Sequence, residues 1–262
     1  MRTVVARRMA GFSLVELMVA LVVGMIVAGA VLAFTVSSVR ANSEYVRAAR
    51  LAQEMRSINQ QVVSELRRAG YDEGAMDYVS NSSATEFSQF SPMLVDNDDP
   101  DANCIVYAYD RQPGTPGSID LDNQEVRAIR RATATVGGKT VGVIEMGESS
   151  GTAAPTCGGA GPDYSKYPVG CASSGWCALS DPRAVDVTAF LVDDDGAGGG
   201  SHGVQDITAT GYTPMQIREL RITLTAGLRD DASISRTLVS NVKVRANCLR
   251  ALIGNCELSP AP

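Results

Sequence analysis

The sequence predicts an α+β protein in which one long N-terminal helix packs on an antiparallel β-sheet with long, disulfide-tied loops. Three observations indicate this fold. An unbroken apolar run covers residues 12–36, and an amphipathic stripe with helical spacing continues to residue 69. Beyond Gly70, apolar residues alternate with polar ones, which is the period of a half-buried strand.

The first half of the predicted helix is apolar on all sides. Residues 12–36 contain one charged residue, Glu16, and no Lys or Arg lies between Arg8 and Arg40. At about 1.5 Å per residue, the run is long enough to cross a hydrocarbon core of about 30 Å. The Arg residues before it predict a cytoplasmic N-terminus, and therefore a single-pass inner-membrane protein whose remaining chain is periplasmic.

The second half of the helix is apolar on one side only. Apolar residues recur at spacings of three and four, at Ala48, Leu51, Met55, Ile58, Val62 and Leu66. Such a stripe predicts a helix with one face against a sheet, and Gly70 is the expected C-terminal stop. Because no Pro occurs before Pro92, one helix from Phe12 to about Ala69 would be about 87 Å long.

Six segments of the C-terminal part predict strands. They are Cys104–Tyr109, Val126–Ala132, Thr140–Met146, Val185–Val192, Ile217–Thr225 and Arg236–Ala246. The last two form the clearest pair, an antiparallel hairpin joined by residues 226–235, whose apolar face is expected to cover the helix stripe. The loops at 147–183 and 193–203 are long enough to be functional or poorly ordered.

Charge and cysteine content change at the same place in the chain. The net charge of -6 divides into +5 over residues 1–70 and -11 over residues 71–262. The acidic balance argues against direct nucleic-acid binding. All six Cys residues lie in the acidic part without a CxxC, which predicts disulfides in an exported domain. They are Cys104, Cys157, Cys171, Cys177, Cys248 and Cys256.

The pairing of these cysteines is only partly indicated by their positions. Cys248 and Cys256 flank a seven-residue loop, so we expect them to pair locally. One of the three Cys residues in the 147–183 loop is expected to pair with Cys104, which would offset the entropy of ordering the loop.

No catalytic, metal or cofactor site is predicted, so the chain is not expected to be an enzyme. The single His, His202, falls in a predicted loop, a poor place for a general base. Two acidic clusters offer oxygen ligands for calcium, but neither has EF-hand spacing, so solvated turns are expected. These clusters are Asp96, Asp98, Asp99 and Asp101, and Asp193, Asp194 and Asp195.

The N-terminal segment admits two interpretations. An ordinary secretory signal peptide would be cut near Ala28-Gly29-Ala30, leaving Val31 as the first residue. Against this, the apolar run continues past Ala30, and Glu16 would lie inside it at a cost of roughly 2.5–3.5 kcal/mol. Alternatively, Arg7-Arg8-Met9-Ala10-Gly11 followed by Phe12-Ser13-Leu14-Val15-Glu16-Leu17 resembles the class III signal of type IV prepilins and pseudopilins.

That resemblance implies a pilin-like fold and a defined processing step. Residues 1–11 would be a cytoplasmic leader, which prepilin peptidase removes between Gly11 and Phe12 before methylating the Phe12 amine. Glu16 lies one helical turn after Phe12, so it can neutralise that amine or the amine of a neighbouring subunit. Residues 12–36 would form the transmembrane or fibre-core helix, 37–70 its amphipathic continuation, and 71–262 the periplasmic domain.

Three further segments resemble the PilW family of type IV pilus minor pilins. They are residues 65–71, residues 103–110 and residues 239–247. The resemblance implies a structural subunit that primes pilus assembly and can sit at the pilus tip, supporting twitching motility, adhesion and DNA uptake. It also implies partners, namely prepilin peptidase, other minor pilins, the major pilin and the inner-membrane assembly platform.

Two alternatives remain open at the level of sequence. A J-type pseudopilin of type II secretion shares the same leader, helix and sheet plan. An ordinary exported enzyme or binding protein is the other.

Overall fold

The structure is a computed structural model that describes residues 11, 13–75, 89–96, 102–111, 118–151, 153–193, 203–207 and 215–249. Its contacts divide the chain into two compact units, Met1–Ala48 and Ala49–Pro262. The boundary between them falls inside the helix, because residues after Ala48 pack with the sheets.

The helix α1 spans Leu14–Leu66. It begins two residues later than predicted and ends three residues earlier, since residues 67–70 form a turn instead of a last helical turn. Gly70 adopts a positive φ of 75°, a conformation that suits glycine and ends helices, as expected for the stop residue. Within the described residues, α1 is the one helix long and apolar enough to cross a membrane.

The first sheet contains five antiparallel strands in chain order. They are β1 (Met93–Asp96), β2 (Cys104–Ala108), β3 (Val126–Val136), β4 (Lys139–Glu148) and β5 (Trp176–Ala178). The β3–β4 hairpin is the longest pairing in this sheet and turns at Gly137-Gly138. Both glycines have positive φ, as a tight two-residue hairpin turn requires.

The second sheet is built around one long central strand. It contains β6 (Val185–Asp193), β7 (Gly203–Ile207), β8 (Met215–Leu228), β9 (Asp231–Lys243) and β10 (Cys248–Leu249). All four of the other strands pair antiparallel with β8. Since β6 and β9 pair with the same residues of β8, they lie on its opposite sides, with β7 following β6 and β10 following β9.

The core lies between α1 and the two sheets of the second unit. The predicted stripe is buried at all its positions from Leu51 to Leu66, and Ala48 is partly buried. The stripe packs against inward residues of both sheets, including Ile105 and Ile129 of the first and Leu220, Ile222, Leu224 and Val242 of the second. The predicted hairpin face therefore does cover the helix.

The outer edge of β6 is closed by groups from the first sheet. The Asn103 N–H donates to the Phe190 carbonyl at 2.9 Å, and the Asn103 side-chain amide donates to the Val192 carbonyl at 3.2 Å. Arg131 Nε donates to the Val187 carbonyl at 2.7 Å. These bonds join the edge of the second sheet to the first sheet.

All six predicted strands are present, but several of their bounds and one link were wrong. The link between the last two was expected to span 226–235, yet β8 continues to Leu228 and β9 starts at Asp231, leaving a turn at Arg229-Asp230. The strands β1, β5, β7 and β10 were not predicted. Each has five residues or fewer, too short for a visible alternation.

Candidate functional site

The start of α1 is fixed by two residues of the predicted processing motif. The Ser13 carbonyl accepts the first helical bond, from the Leu17 N–H at 3.2 Å. The Ser13 N–H donates to Glu16 Oε2 at 3.2 Å, which is one half of a capping box. The Glu16 carboxylate therefore lies at the positive end of the helix dipole. Phe12 and residues 1–10 lie outside the described residues.

From Leu14 to Val46 the helix exposes its apolar side chains on every face. Phe34 is 76% exposed and Tyr45 is 74% exposed. Contiguous apolar surface of this extent marks a lipid or protein contact, because a soluble monomer rarely leaves it in water. The sequence prediction of a helix apolar all round in its first half is confirmed, and among the described residues no other segment covers this part.

At its other end, α1 is held on the first sheet by a buried carboxylate. Glu65 lies at the end of the stripe and is 5% exposed. Its Oε2 accepts from Arg127 Nη1 at 3.1 Å, from the Tyr107 hydroxyl at 3.4 Å and from the Tyr109 hydroxyl at 3.2 Å. Its Oε1 pairs with Arg68. Since Arg127 lies on β3 and the tyrosines on or next to β2, this cluster ties the helix end to two strands.

In the Glu65 cluster the buried charges are paired and the two phenols are neutral. Burial, and then the negative charge of Glu65, raise the pKa values of Tyr107 and Tyr109, so both phenols stay neutral donors. Arg127 also pairs with Glu148 Oε1 at 2.8 Å, and its guanidinium lies 5.3 Å from the centre of the Tyr109 ring. The buried cation is therefore compensated on two sides.

A second buried cation lies beside the turn that ends the helix. Arg218 of β8 is fully buried and donates to the Ser91 and Ala246 carbonyls. Burial lowers the pKa of Arg218 to about 10. A Cβ at Gly70 would come within 3.0 Å of its Nη2, so this guanidinium needs the glycine. In the described part of the chain, no carboxylate pairs with Arg218.

Arg130 of β3 holds the long loop between β4 and β5 in place. Its Nη1 donates to the Cys157 and Gly159 carbonyls at 2.7 Å and 2.6 Å. Its Nη2 pairs with Glu145 at 2.7 Å, and its guanidinium lies 3.9 Å from the centre of the Trp176 ring. An arginine that bonds two loop carbonyls and stacks on a buried indole holds the loop against the sheet.

Two disulfide bonds constrain this loop. One joins Cys104 of β2 to Cys157, and the other joins Cys171 to Cys177. The expectation of a loop cysteine bonded to Cys104 is thus realised through Cys157. The backbone of Cys248 lies in β10, whereas Cys256 lies outside the described residues, so the expected local pair stays a prediction.

An open polar cavity of about 360 Å³ lies beside the loop. It is lined by Arg130, Arg131, Glu145 and Tyr164 among others. The Tyr164 hydroxyl donates to Glu145 Oε1 at 2.8 Å, while Arg130 occupies Oε2. Burial and the neighbouring Glu145 raise the pKa of Tyr164. These polar groups satisfy one another, which is the arrangement of a structural network.

The acidic clusters and the single His are only partly covered by the structure. Asp96 ends β1 and Asp193 ends β6, while the other acids of both clusters, together with His202, lie outside the described residues. Within the described residues, no group of three or more His, Cys, Asp or Glu side chains is placed to hold a metal ion.

The buried charges were not predicted from the sequence, although signals existed for some of them. Glu65 follows Ile58 by seven residues, so it occupies a position of the buried helical face. Arg127 precedes Ile129 by two residues, so it shares the inward face of β3. An acid and a base at core positions of facing elements predict a buried pair. Arg218 precedes Leu220 by two residues and carries the same strand signal, whereas Arg130 carries no comparable one.

Comparison with known protein families agrees with the N-terminal motif and with the fold. The prokaryotic N-terminal methylation motif matches residues 6–32, and the family described as prepilin peptidase-dependent protein B matches residues 44–244. Neither curated proteins nor solved structures give a match. These two matches confirm the predicted resemblance to prepilins, at the level of a structural pilin or pseudopilin. The chain belongs to the prepilin peptidase-dependent protein B family.

Proposed function

We propose that the protein is a minor pilin of a type IV pilus, of the PilW kind, which helps to prime pilus assembly and can sit at the pilus tip. One observation carries this proposal. The helix α1 has an apolar first part that no other described segment covers and a second part fixed in a folded domain. A subunit that inserts one helix among others and displays its domain outside needs both parts.

The proposal includes the processing step. Prepilin peptidase cuts between Gly11 and Phe12 and methylates Phe12, leaving residues 12–262 as the mature subunit. The match of the methylation motif to residues 6–32 supports this site, because that range includes both residues. Gly11 lies before the helix, which starts at Leu14, so the bond to be cut is next to non-helical backbone.

The role proposed for Glu16 is charge pairing during assembly. In the uncleaved chain, Glu16 accepts the Ser13 N–H. After cleavage, the new amine of Phe12 lies about one helical turn away, so the carboxylate can neutralise it or the amine of a neighbouring subunit. In lipid or in a fibre core, two unpaired charges are costly, and pairing favours one stagger between subunits.

The topology proposed for the chain follows from the same segments. The leader is cytoplasmic, α1 anchors the subunit in the inner membrane, and residues 71–262 lie in the periplasm until the subunit enters a pilus. The two disulfides support an oxidising compartment for this domain. The partners would be prepilin peptidase, the other minor pilins, the major pilin and the inner-membrane assembly platform.

A Glu16→Ala variant tests the assembly role. We expect cleavage after Gly11 to be unchanged, while the amount of the subunit recovered in sheared surface fibres falls at least several-fold. Glu44→Ala is the matched control, since Glu44 lies on the same helix and is exposed. Equal recovery of both variants would contradict the charge-pairing role.

A deletion of the gene separates the pilus from a secretion machine. The proposal predicts that surface pili are lost while type II secretion continues. The reverse result would identify a J-type pseudopilin instead. If pili and secretion both persist, the protein serves neither machine, and an exported binding protein or enzyme becomes the better description.

A further inference from the structure

The strand β9 forms a long outer edge of the second sheet. It has 13 residues, and ten of them, residues 235–243 and Asp231, pair with β8 on one side. Among the described residues, no other strand and no backbone hydrogen bond reaches residues 232–243 from the opposite side. Such an edge presents a row of N–H and C=O groups that can accept a further strand.

The other described edges of the two sheets are short or closed by side chains, whereas β9 is long. The strands β1, β5, β7 and β10 have four, three, five and two residues. The edge of β6 is closed by Asn103 and Arg131. By contrast, β9 contains no Pro, and its register with β8 runs without a bulge from Lys243 to Ser235. Natural proteins usually protect an edge of this length.

The side chains along β9 favour an acidic partner. Val242 faces the core, so Val239 and Lys243 point to the outer face, and Arg245 follows just after the end of the strand. Val239 is 50% exposed, and both basic residues are exposed. Arg236 is exposed as well. The acid that faces this end of the edge from β8 is Glu219, opposite Lys243. Cations therefore outnumber acids here.

From this edge we infer a docking site for an extended segment of another polypeptide, which adds to the second sheet as a strand beside β9. Its backbone would bond the open edge of β9. On its outer face it would carry an apolar residue beside Val239 and, four positions before it, an Asp or Glu beside Lys243. A second copy of β9 fits less well, because it brings Arg236 and Lys243 to an edge that is already basic.

The test uses the full chain in detergent and two short synthetic peptides. Both peptides alternate Thr and Ser and carry one Val; four positions before the Val, as an antiparallel strand requires, one has Glu and the other has Lys. Hydrogen–deuterium exchange of residues 232–243 and peptide affinity are measured. We expect the Glu peptide to slow exchange in β9 and to bind about five-fold tighter than the Lys peptide, the effect of about one cross-strand charge pair.

Two charge variants make the result specific. Lys243→Glu should reverse the preference between the peptides, while Lys166→Glu, at an exposed loop position, should leave it unchanged. The fluorescence of the buried Trp176 reports that each variant is folded. The inference is overturned if neither peptide slows exchange in β9, or if both do so equally. It is also overturned if β9 becomes protected with rising protein concentration alone, which would identify a second copy as the occupant. These outcomes do not depend on which fibre the subunit serves.

Discussion

Replacing Glu65 with Gln should destabilise the folded domain strongly. Glu65 is buried, and it accepts bonds from Arg127, Arg68 and the hydroxyls of Tyr107 and Tyr109. Gln keeps the shape and an acceptor for the tyrosines. It removes the negative charge, so it leaves the buried guanidinium of Arg127 with less compensation.

The size of the effect follows from what remains around Arg127. Removing one partner of a buried ion pair costs about 3–5 kcal/mol. Here Arg127 keeps Glu148 at 2.8 Å, and the side chain of Arg68 is 52% exposed and can turn to water. We therefore expect the lower end of the range, a loss of about 3 kcal/mol in the free energy of unfolding.

The single Trp of the chain provides the assay. Trp176 is fully buried between β4 and the long loop, so its emission reports unfolding of the sheets and not of the exposed helix. Guanidinium titrations of the full chain in detergent compare Glu65→Gln with Glu44→Gln, an exposed position on the same helix. The control should change stability by less than about 0.5 kcal/mol. If Glu65→Gln is as mild as the control, the cluster does not hold the helix on the sheet.

Three further predictions use the same fluorescence assay. Replacing both cysteines of the Cys104–Cys157 bond with Ser should lower the free energy of unfolding by about 4 kcal/mol, and the same change at Cys171–Cys177 should lower it by about 2 kcal/mol. The difference arises because the first bond joins residues 53 positions apart and the second joins residues 6 positions apart. Equal losses would contradict this prediction. Gly138→Ala should lower the free energy of unfolding by about 1 kcal/mol because of its positive φ alone. Gly70→Ala should lower it more, because the new Cβ would also meet Arg218. The reverse order would count against that contact. Because the pKa of Tyr109 is raised, its neutral form stabilises the fold below about pH 10, and this contribution is lost as the pH rises further. The Tyr109→Phe variant should therefore lose less stability at alkaline pH than the natural chain. An equal alkaline loss in both proteins would refute the stabilising role of the neutral phenol.

The helix and the central hairpin were predictable because their patterns are long. Leu51 to Leu66 repeat at helical spacing over several turns, and Leu220, Ile222 and Leu224 alternate strictly, so each pattern fixes both the element and its inward face. The short strand β5 was not predictable. Trp176–Ala178 is a strand because the disulfide loop and Arg130 bring it to β4, and such long-range contacts leave no local pattern.

The N-terminal motif of the candidate site can be read from the sequence as a prediction, whereas the contacts of the Glu65 cluster cannot. Gly11, Phe12 and Glu16 form a short motif whose meaning depends on fixed spacing along the chain. The Glu65–Arg127 pair instead joins residues 62 positions apart, so local patterns place each side chain on an inward face without fixing which partner it meets. The partners of Arg130 are not fixed locally either, because its contacts at Cys157 and Gly159 depend on the path of a loop rich in Gly and Pro.

The most direct test of the account is the identity of the first residue of the mature protein. The subunit is extracted from the membrane of its native host, and its N-terminal peptide is analysed by mass spectrometry. A subunit processed as a prepilin begins at Phe12, carries one methyl group on its amine and retains residues 12–262. A chain that begins at Val31, or that keeps residues 1–11, would contradict this processing.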